Sequence, residues 1–564
     1  MWNFHALPYE RPDVEAYKAE YSRLIDEMVA APTYADQRAA LLALDALDTK
    51  FSTPARLASI RYDINTADEF YGVEKKFWNG VFPSLIPLER KYLEALVGLR
   101  FRADFEAEFG TKLFKSAEAQ LKLADDRLAE AQVEQSNLVM QYSKLVAGCS
   151  VEFDGKPCNF YGLLKQMQNP DRAVRKAAFE AWAGMYESIS GQLDEIYDKL
   201  VALRVGMAKT IGFDSFTEMA YLQRGRYDYN AEDVAKFRAA VVKYIVPAAA
   251  RSYALQKQRL GIDKLHYYDE PLFYPAGNPA PSGNRDEMVA LAGQMYRELS
   301  PETGEFFNFM TAHELFDLET KPGKRMGGYC TRIGEYQAPF IFSNFNGTSA
   351  DVDVLTHEAG HAFQAYLAMR IMPLSDLTHA NMEINEVHSM SMEHFAYPWM
   401  DKFFGEKADD YRRYHLSDAL RVIPYLVAVD DFQHRVFAWP EMTAAERRAV
   451  WHDIEQTYLP WRDYDGNEFL AGGGFWMQKQ HIFMYPFYYI EYALAQLGAF
   501  EFFIKAEDDR TAAWSDYIAL CRAGGSVGYK ALLQVGGLHD PFDEATVKMV
   551  AEKIGAKIDS MMRQ

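Results

Sequence analysis

The sequence predicts a mainly α-helical protein that contains one small β-sheet. Apolar residues recur at helical spacing along most of the 564 residues, whereas strand patterns are confined to two short regions. A His/Glu motif lies on an amphipathic helical pattern directly after the second of these regions. Hydrophobic residues make up 49% of the chain and charged residues 25%, which is the ordinary balance of a globular protein.

The first part of the chain is expected to consist of helices joined by loops. A long helical pattern between Phe77 and Phe105 contains Pro83 and Pro87. We expect the two prolines to break it, because proline lacks a backbone N–H and clashes with the preceding turn. The charged stretch from Ser116 to Lys144 predicts one long helix. Nothing in this part of the sequence points to chemistry.

Two regions predict β-structure. Residues 150–160 alternate around Asp154 and Gly155, which predicts a hairpin with a type I′ turn. Residues 327–332 and 338–345 predict two strands immediately before the His/Glu motif. The edge of such a sheet can bind an extended peptide as an additional strand, although both strands can equally be structural.

The His/Glu motif has the sequence H-E-A-G-H and covers residues 357–361. His357 and His361 are four residues apart, so they lie on one face of a helix and can bind a single metal ion. Glu358 is displaced around the helix from that pair, which suits a general base better than a ligand. The motif therefore predicts a zinc site with its own base.

The helix that carries the motif has recognisable ends. Thr348 and Asp351 have the spacing of a capping box, with Asp in place of Glu, and Pro373 ends the pattern. A chance match to the motif is the alternative, because the chain contains 13 histidines. The helical spacing of the apolar residues between these ends argues against it.

A catalytic zinc site needs a third protein ligand and an open position for water. No further histidine follows the motif at the spacing of an H-x-x-G-x-x-H extension, so we expect a carboxylate. Residues 381–399 predict a second helix with three candidates, Glu383, Glu386 and Glu393. Glu386 and Glu393 share one helical face, so spacing alone does not choose between them.

Charge and composition limit the partners and the location. The net charge of −20 argues against binding to nucleic acid or to anionic membranes, both of which need a basic surface. The N-terminus lacks the pattern of a signal peptide, and no apolar run is long enough to span a membrane. The four cysteines, Cys149, Cys158, Cys330 and Cys521, form no Cys-x-x-Cys pair. Because the sequence shows no export signal, we expect them to be reduced thiols in a cytoplasmic protein.

Five segments of the sequence form a set, namely Val151–Phe160, Phe340–Asn346, Thr356–Phe363, Glu386–Ser389 and His481–Tyr492. Together they resemble peptidase family M3, the thimet and oligoendopeptidase F family of zinc peptidases. Within it they are most similar to bacterial oligoendopeptidases of the Pz-peptidase type. The resemblance begins near residue 115, so we expect an N-terminal helical lobe over residues 1–115 and a peptidase body over residues 116–564.

The resemblance implies a two-lobed, zincin-like fold with a deep central channel and one zinc ion per chain. It implies that Glu386, the Glu twenty-five residues after the second histidine of the motif, is the third ligand beside His357 and His361. It also implies that the substrates are short unstructured peptides, because an enclosed channel excludes folded proteins. It leaves the oligomeric state open.

The family also uses His and Tyr side chains of a late segment to bind the substrate and the tetrahedral intermediate. Here His481, Tyr485, Tyr488 and Tyr492 are 4, 3 and 4 residues apart, which predicts one shared helical face. We expect Tyr488 to donate a hydrogen bond to the oxyanion and His481 to act beside it by positioning the peptide. Tyr485 and Tyr492 are expected to bind substrate, with core packing of the tyrosines as the alternative.

The sequence thus predicts a zinc metalloendopeptidase that hydrolyses short peptides, with Glu358 as the general base. The substrate is expected to bind along the second strand, at Phe340, Phe342 and Asn344. Two alternatives are a zinc carboxypeptidase of similar architecture and a non-catalytic peptide-binding protein with a relic zinc site. Glu358 argues against the relic, because a site without catalysis has no need of a base.

Overall fold

A computed structural model describes residues 2–563 of the chain. The mainly α-helical class is confirmed, with 24 α-helices and five short strands among these residues. Tyr17, Met28, Leu41, Phe51 and Trp78 are buried together in the core of the first helices. These helices are α1 (Val14–Ala30), α2 (Tyr34–Ile64), α3 (Glu69–Val97), α4 (Arg102–Phe109) and α5 (Lys112–Leu123).

Helix α3 runs through both of its prolines, so the predicted break at Pro83 and Pro87 is wrong. Both prolines are exposed, and water can therefore satisfy the carbonyl groups that lose their N–H partners. Elsewhere along the helix Trp78, Val81 and Leu93 are buried. Their packing holds α3 together across the prolines.

The single helix predicted from Ser116 to Lys144 is also wrong, because α5 ends at Leu123 and the next helix begins at Ala129. Between them the Asp125 carboxylate accepts a hydrogen bond from the backbone N–H of Arg127, the local bond with which aspartate competes against a helix. The chain continues with α6 (Ala129–Ala147), β1 (Val151–Phe153), β2 (Lys156–Cys158), α7 (Phe160–Gln166), α8 (Arg172–Thr210), α9 (Phe216–Gln223), α10 (Ala231–Ala240) and α11 (Val246–Leu260).

Strands β1 and β2 form the predicted hairpin. Val151 pairs with Cys158, and φ is 51° at Asp154 and 71° at Gly155. A type I′ turn requires this left-handed conformation at both central residues. Cys158 and the other three cysteines are free thiols, and the cytoplasmic location stays a prediction.

The sheet that precedes the motif has three strands rather than two. Strand β5 lies in the middle, antiparallel to β4 and parallel to β3. The sequence pattern does not predict β3. Strands β4 and β5 both contact the helix that carries the motif. This part of the chain contains α12 (Arg285–Leu299), α13 (Pro301–Ala312), β3 (Phe316–Glu319), β4 (Tyr329–Ile333), β5 (Ala338–Phe345), α14 (Ala350–Ile371), α15 (Met382–Phe395) and α16 (Met400–Phe404).

The remaining helices are α17 (Ala408–Ala438), α18 (Ala444–Tyr458), α19 (Glu468–Ala471), α20 (Gln480–Met484), α21 (Ile490–Asp508), α22 (Arg510–Ala523), α23 (Tyr529–Val535) and α24 (Glu544–Arg563). Across residues 2–563, no helix has the length and apolar character that a membrane span requires.

The chain forms two compact units, each built from three separate stretches. The first unit contains the three-stranded sheet and the His/Glu motif. The second contains residues 481–492, the late aromatic segment. The predicted boundary near residue 115 stays a prediction. The first unit comprises residues 1–124, 280–408 and 501–538, and the second comprises residues 125–279, 409–500 and 539–564.

Candidate active site

Helices α14 and α15 pack closely at Gly360, the fourth residue of the motif. A Cβ atom at this position would lie 2.7 Å from the Cα atom of Ser389 and 2.8 Å from the carbonyl oxygen of His388. Those distances are too short for any side chain, so only glycine allows α15 to lie this close to the motif. The close approach brings the carboxylates of α15 to the histidines of α14.

Three residues predicted as metal ligands are brought together by this packing. The ligand atoms of His357, His361 and Glu386 all lie within 4.8 Å of one another. The Oε2 atom of Glu386 lies 3.4 Å from Nε2 of His357 and 3.6 Å from Nε2 of His361. One carboxylate oxygen thus faces both imidazoles, as three ligands around a single ion require.

The two other candidate carboxylates occupy different positions. The Oε1 atom of Glu393 lies 2.5 Å from Nδ1 of His357, the ring nitrogen that does not face Glu386. Glu383 is fully buried and is not part of the metal-binding group found among the described residues. The Ser389 hydroxyl donates to Oε2 of Glu386 at 3.2 Å and so helps to orient that carboxylate.

Burial and charge control protonation within this group. Burial opposes the charged form of His357, but Glu386 and Glu393 accept its hydrogen bonds and raise its pKa well above the ordinary value. Burial alone would raise the pKa of Glu386, yet His357 and His361 lower it strongly. A proton on His357 and a metal cation are therefore alternative ways to compensate the two carboxylates.

The donor set fits zinc. Two imidazole nitrogens and one carboxylate oxygen are ligands that catalytic zinc sites use. Because Nδ1 of His357 is bonded to Glu393, the Nε2 atom of that ring is the one available to a metal. Such an acceptor behind a histidine ligand fixes its tautomer and its orientation.

Glu358 lies outside the ligand group and is half-buried. No hydrogen bond from any residue in the described part of the chain reaches its carboxylate. The pKa of the Cys330 thiol in β4 is raised, chiefly by burial and secondly by the negative charge of Glu358. The candidate base is therefore close to β4.

The start of α14 differs from the predicted capping box of Thr348 and Asp351. The residue that precedes the helix is Ser349, whose side chain makes no capping bond. The Asp351 carboxylate instead accepts hydrogen bonds from the backbone N–H groups of Asn346 at 2.9 Å and Gly347 at 2.7 Å. Asp351 thus ties α14 to the end of β5 instead of capping its own helix.

The predicted substrate contacts along β5 are wrong. Phe340 and Phe342 are fully buried, and the Asn344 amide donates to the carbonyl oxygens of Arg325 and Gly327. As the central strand, β5 already uses its backbone in pairing with β3 and β4. Among the strands of residues 2–563, none pairs with the other edge of β4, so β4 has the edge that a peptide could join.

The late aromatic residues do not share one helical face. Helix α20 ends at Met484 and α21 begins at Ile490, because Pro486 interrupts the pattern and φ is 61° at Phe487. The side chains still form a cluster within the second unit. The His481 ring lies 5.7 Å from the Tyr488 ring, and the hydroxyl oxygens of Tyr488 and Tyr492 are 2.9 Å apart.

Basic residues around this cluster were not identified from the sequence, because no motif marks them. The Arg224 guanidinium lies 4.4 Å above the Tyr488 ring and binds the buried Glu491 carboxylate. Burial, Lys479 and Arg224 lower the pKa of His481 to about 4, which makes its imidazole neutral near pH 7.

Two family models match the chain. The model described as the peptidase M3 N-terminal domain matches residues 4–124. The model described as peptidase family M3 matches residues 165–276 and 304–553. The second match alone covers more than half of the chain and includes the motif, α15 and the late aromatic cluster.

The chain is also similar to known peptidases in sequence and in structure. The chain is 22% identical to oligopeptidase PepF of Bacillus subtilis, over 100% of this chain and 85% of that protein. Among solved structures, Pz peptidase A with an inhibitor has a TM-score of 0.91 and 44% identity, over 99% of each chain. A protein assigned as an oligoendopeptidase F has a TM-score of 0.92 and 45% identity, over 100% of each chain.

Proposed function

The chain belongs to peptidase family M3 and is a peptidase, and from that premise we propose that it is a zinc-dependent oligoendopeptidase. In this proposal it cleaves internal bonds of short, unstructured peptides. The observation that carries the proposal is that the ligand atoms of His357, His361 and Glu386 lie close together. Glu358 is on the same helix as the two histidines but is not one of these three residues. The names of the relatives support the same substrate class.

We propose that His357, His361 and Glu386 hold one zinc ion per chain. Bound zinc would supply a Lewis acid that polarises the scissile carbonyl and makes water more acidic. Glu386 is favoured over Glu393 because its oxygen faces both imidazole Nε2 atoms. Glu393 bonds Nδ1 of His357, which suits a residue that orients the ligand.

Glu358 would take a proton from the attacking water and later pass it to the leaving amine. Its carboxylate is half-buried and accepts no hydrogen bond from the described residues, so it is available for this transfer. The charge of Glu358 acts on Cys330 in β4, which supports a substrate that lies along β4. The strand edge that remains unpaired within residues 2–563 supports the same position.

Tyr488 is proposed as the donor to the oxyanion, with His481, Tyr485 and Tyr492 binding the peptide. The hydrogen-bonding distance between the hydroxyls of Tyr488 and Tyr492 and the partial exposure of both rings support polar roles. A neutral His481 can donate one hydrogen bond and accept another. The lowered pKa of this residue supports that form near pH 7.

A digest of mixed synthetic peptides tests the proposal, with the cleaved bonds assigned by mass spectrometry and zinc measured on the same sample. We expect internal cuts in peptides of five to twenty residues and one zinc ion per chain. Loss of one residue at a time from the C-terminus would favour the carboxypeptidase. Binding of peptides without any cleavage by zinc-loaded protein would favour the relic.

A further inference from the structure

A cationic side chain lies at the end of β4, beyond the proposed ligand group. The Nη2 atom of Arg332 donates to the Gln364 side chain at 2.9 Å and to the carbonyl oxygen of Thr378 at 3.3 Å, and Nη1 contacts the His379 ring. All of these partners are neutral. Within residues 2–563, no carboxylate forms an ion pair with this guanidinium.

The surroundings of His379 show that the positive charge is concentrated here. Burial lowers the pKa of His379 to about 3, assisted by Arg332, Lys112 and Arg56. Every charge that acts on this imidazole is therefore positive. Arg56 is exposed and makes no hydrogen bond or ion pair in the described part of the chain. Such a local excess in a chain of net charge −20 attracts anions.

The two arginines line one cavity of about 770 Å³ within the first unit. Three carboxylates also line it, from Asp45, Asp48 and Glu335. Asp45 accepts a hydrogen bond from the backbone N–H of Ser375, and Asp48 accepts one from Tyr17. Within residues 2–563, none of the three forms an ion pair with Arg332 or Arg56, so neither guanidinium is paired with a carboxylate of the cavity.

The position of Arg332 along β4 relates this cavity to the proposed chemistry. Side chains two residues apart on a strand point to the same face, so Arg332 shares a face with Cys330. The negative charge of Glu358 in α14 raises the pKa of Cys330. Gln364, also in α14, accepts a hydrogen bond from Arg332. Two residues of extended chain span about 6.6 Å. A peptide along β4 would therefore meet Arg332 within a few residues of the bond that is cut.

We propose that Arg332 and Arg56 form a carboxylate-binding subsite for the peptide substrate, close to the scissile bond. Guanidinium groups match carboxylates geometrically and bind them with charge-assisted hydrogen bonds. The ligand is a carboxylate of the peptide, either its free C-terminus or the side chain of Asp or Glu. This inference rests on the proposed oligoendopeptidase function and adds a substrate preference to it.

The test uses the zinc-loaded protein and quenched fluorescent peptides that share one cleaved bond. One pair has a free or an amidated C-terminus, and the other pairs carry Glu or Gln at successive positions around the bond. We expect the wild-type protein to prefer at least one carboxylate, with kcat/KM higher by about tenfold, as a charged hydrogen bond allows. The pair that shows the preference identifies the source of the carboxylate.

Arg332→Gln and Arg56→Gln should each remove most of that preference. Lys50→Gln is the matched control, because Lys50 lines the same cavity but is not among the charges that act on His379. Its variant should keep the wild-type ratio. If Arg332→Gln does not fold, Arg56→Gln still carries the test.

Equal cleavage of all acid and neutral pairs by wild-type protein would overturn the subsite. A preference that survives in Arg56→Gln and in every folded Arg332 variant would overturn it as well. Failure to cleave any peptide is a separate result, because it contradicts the oligoendopeptidase proposal itself. In that case, binding of the acid and neutral peptides to Glu358→Gln protein, measured by fluorescence anisotropy, decides the subsite alone.

Discussion

The Oε1 atom of Glu393 lies 2.5 Å from the Nδ1 atom of His357. The Nε2 atom of the same ring faces Glu386, whose Oε2 is 3.4 Å away. Glu386 and Glu393 are seven residues apart on α15, so one helical face presents both carboxylates to one imidazole. We therefore expect Glu386 and Glu393 to contribute unequally to metal binding.

Glu386→Gln should therefore abolish tight zinc binding, since it replaces a charged ligand by a neutral amide. Glu393→Gln should keep the site and weaken it by about 10–100-fold, the usual effect of losing the acceptor behind a histidine ligand. Zinc titration with a competing chelator measures both affinities. The ligand assignment fails if Glu393→Gln empties the site while Glu386→Gln retains zinc.

The same pair predicts a pH dependence of stability for protein stripped of metal by a chelator. Folding raises the pKa of His357 above 6.5, so its ion pairs stabilise the fold fully below about pH 6.5. That contribution is lost as the pH rises through the folded-state pKa. In Glu393→Gln, Glu386 still raises the pKa of His357. The difference in unfolding free energy between wild type and this variant should therefore shrink, by up to about 1.4 kcal/mol per pH unit, once the pH exceeds the pKa that His357 has in the variant.

Denaturant unfolding at several pH values between 6 and 9 measures that difference. Zinc-loaded protein should show the opposite trend, because the ligands must lose protons before they bind metal. A difference that grows with pH in the stripped protein would contradict the raised pKa of His357.

Gly360→Ala should separate α14 from α15. The added Cβ would lie 2.7 Å from Ser389, and overpacking of this kind costs about 1–3 kcal/mol. Zinc affinity should fall with stability, because Glu386 moves with α15. Gly191→Ala is the control, since Gly191 lies within α8 and nothing is within 4 Å of its added Cβ. That variant should gain up to about 1 kcal/mol from helix propensity.

Glu358→Gln should keep zinc and lose hydrolysis by about 10²–10⁴-fold, because it removes only the general base. The isosteric amide keeps the size of the side chain, so the melting temperature should not change. Steady-state rates and zinc content on one preparation provide the measurement. An active, zinc-loaded variant would exclude Glu358 as the base.

The sequence predicts the local parts of this site well. Spacing on a helix is a local property, so it correctly brings His357 and His361 to one face, and the turn chemistry of Asp154 and Gly155 correctly predicts the hairpin. The sequence-based predictions are wrong where tertiary packing determines the secondary structure. Helix α3 passes through its prolines because its buried side chains hold it.

Long-range pairing is the other source of failure. Strand β3 pairs with β5 across more than twenty residues, and no local pattern shows that β5 is therefore central rather than an edge. The choice among Glu383, Glu386 and Glu393 likewise depends on how α15 packs at Gly360. Four-residue spacing predicted one helix through the late segment, but the turn at Phe487 brings His481 and Tyr488 together by another route.

The hydroxyl of Tyr488 should donate a hydrogen bond to the oxyanion. The Arg224 guanidinium lies over the Tyr488 ring. A nearby positive charge stabilises negative charge on the phenol oxygen, so it makes the O–H group a stronger hydrogen-bond donor. Loss of a single oxyanion donor costs about 10²–10³ in kcat. Tyr488→Phe keeps the ring and its packing, so kcat should fall by this amount while zinc content and melting temperature stay the same.

Tyr485→Phe and Tyr492→Phe are the matched controls for the loss of one hydroxyl. Tyr485 is 49% exposed, and its variant should change KM more than kcat if it only binds the peptide. Tyr492 bonds Tyr488, so Tyr492→Phe should show a smaller fall in kcat, because the donor remains but its partner is lost. If Tyr488→Phe keeps the wild-type kcat while Tyr492→Phe loses most of it, the oxyanion donor is Tyr492 instead. Full activity of all three variants would show that these tyrosines only pack, since no hydroxyl would then contribute to the transition state.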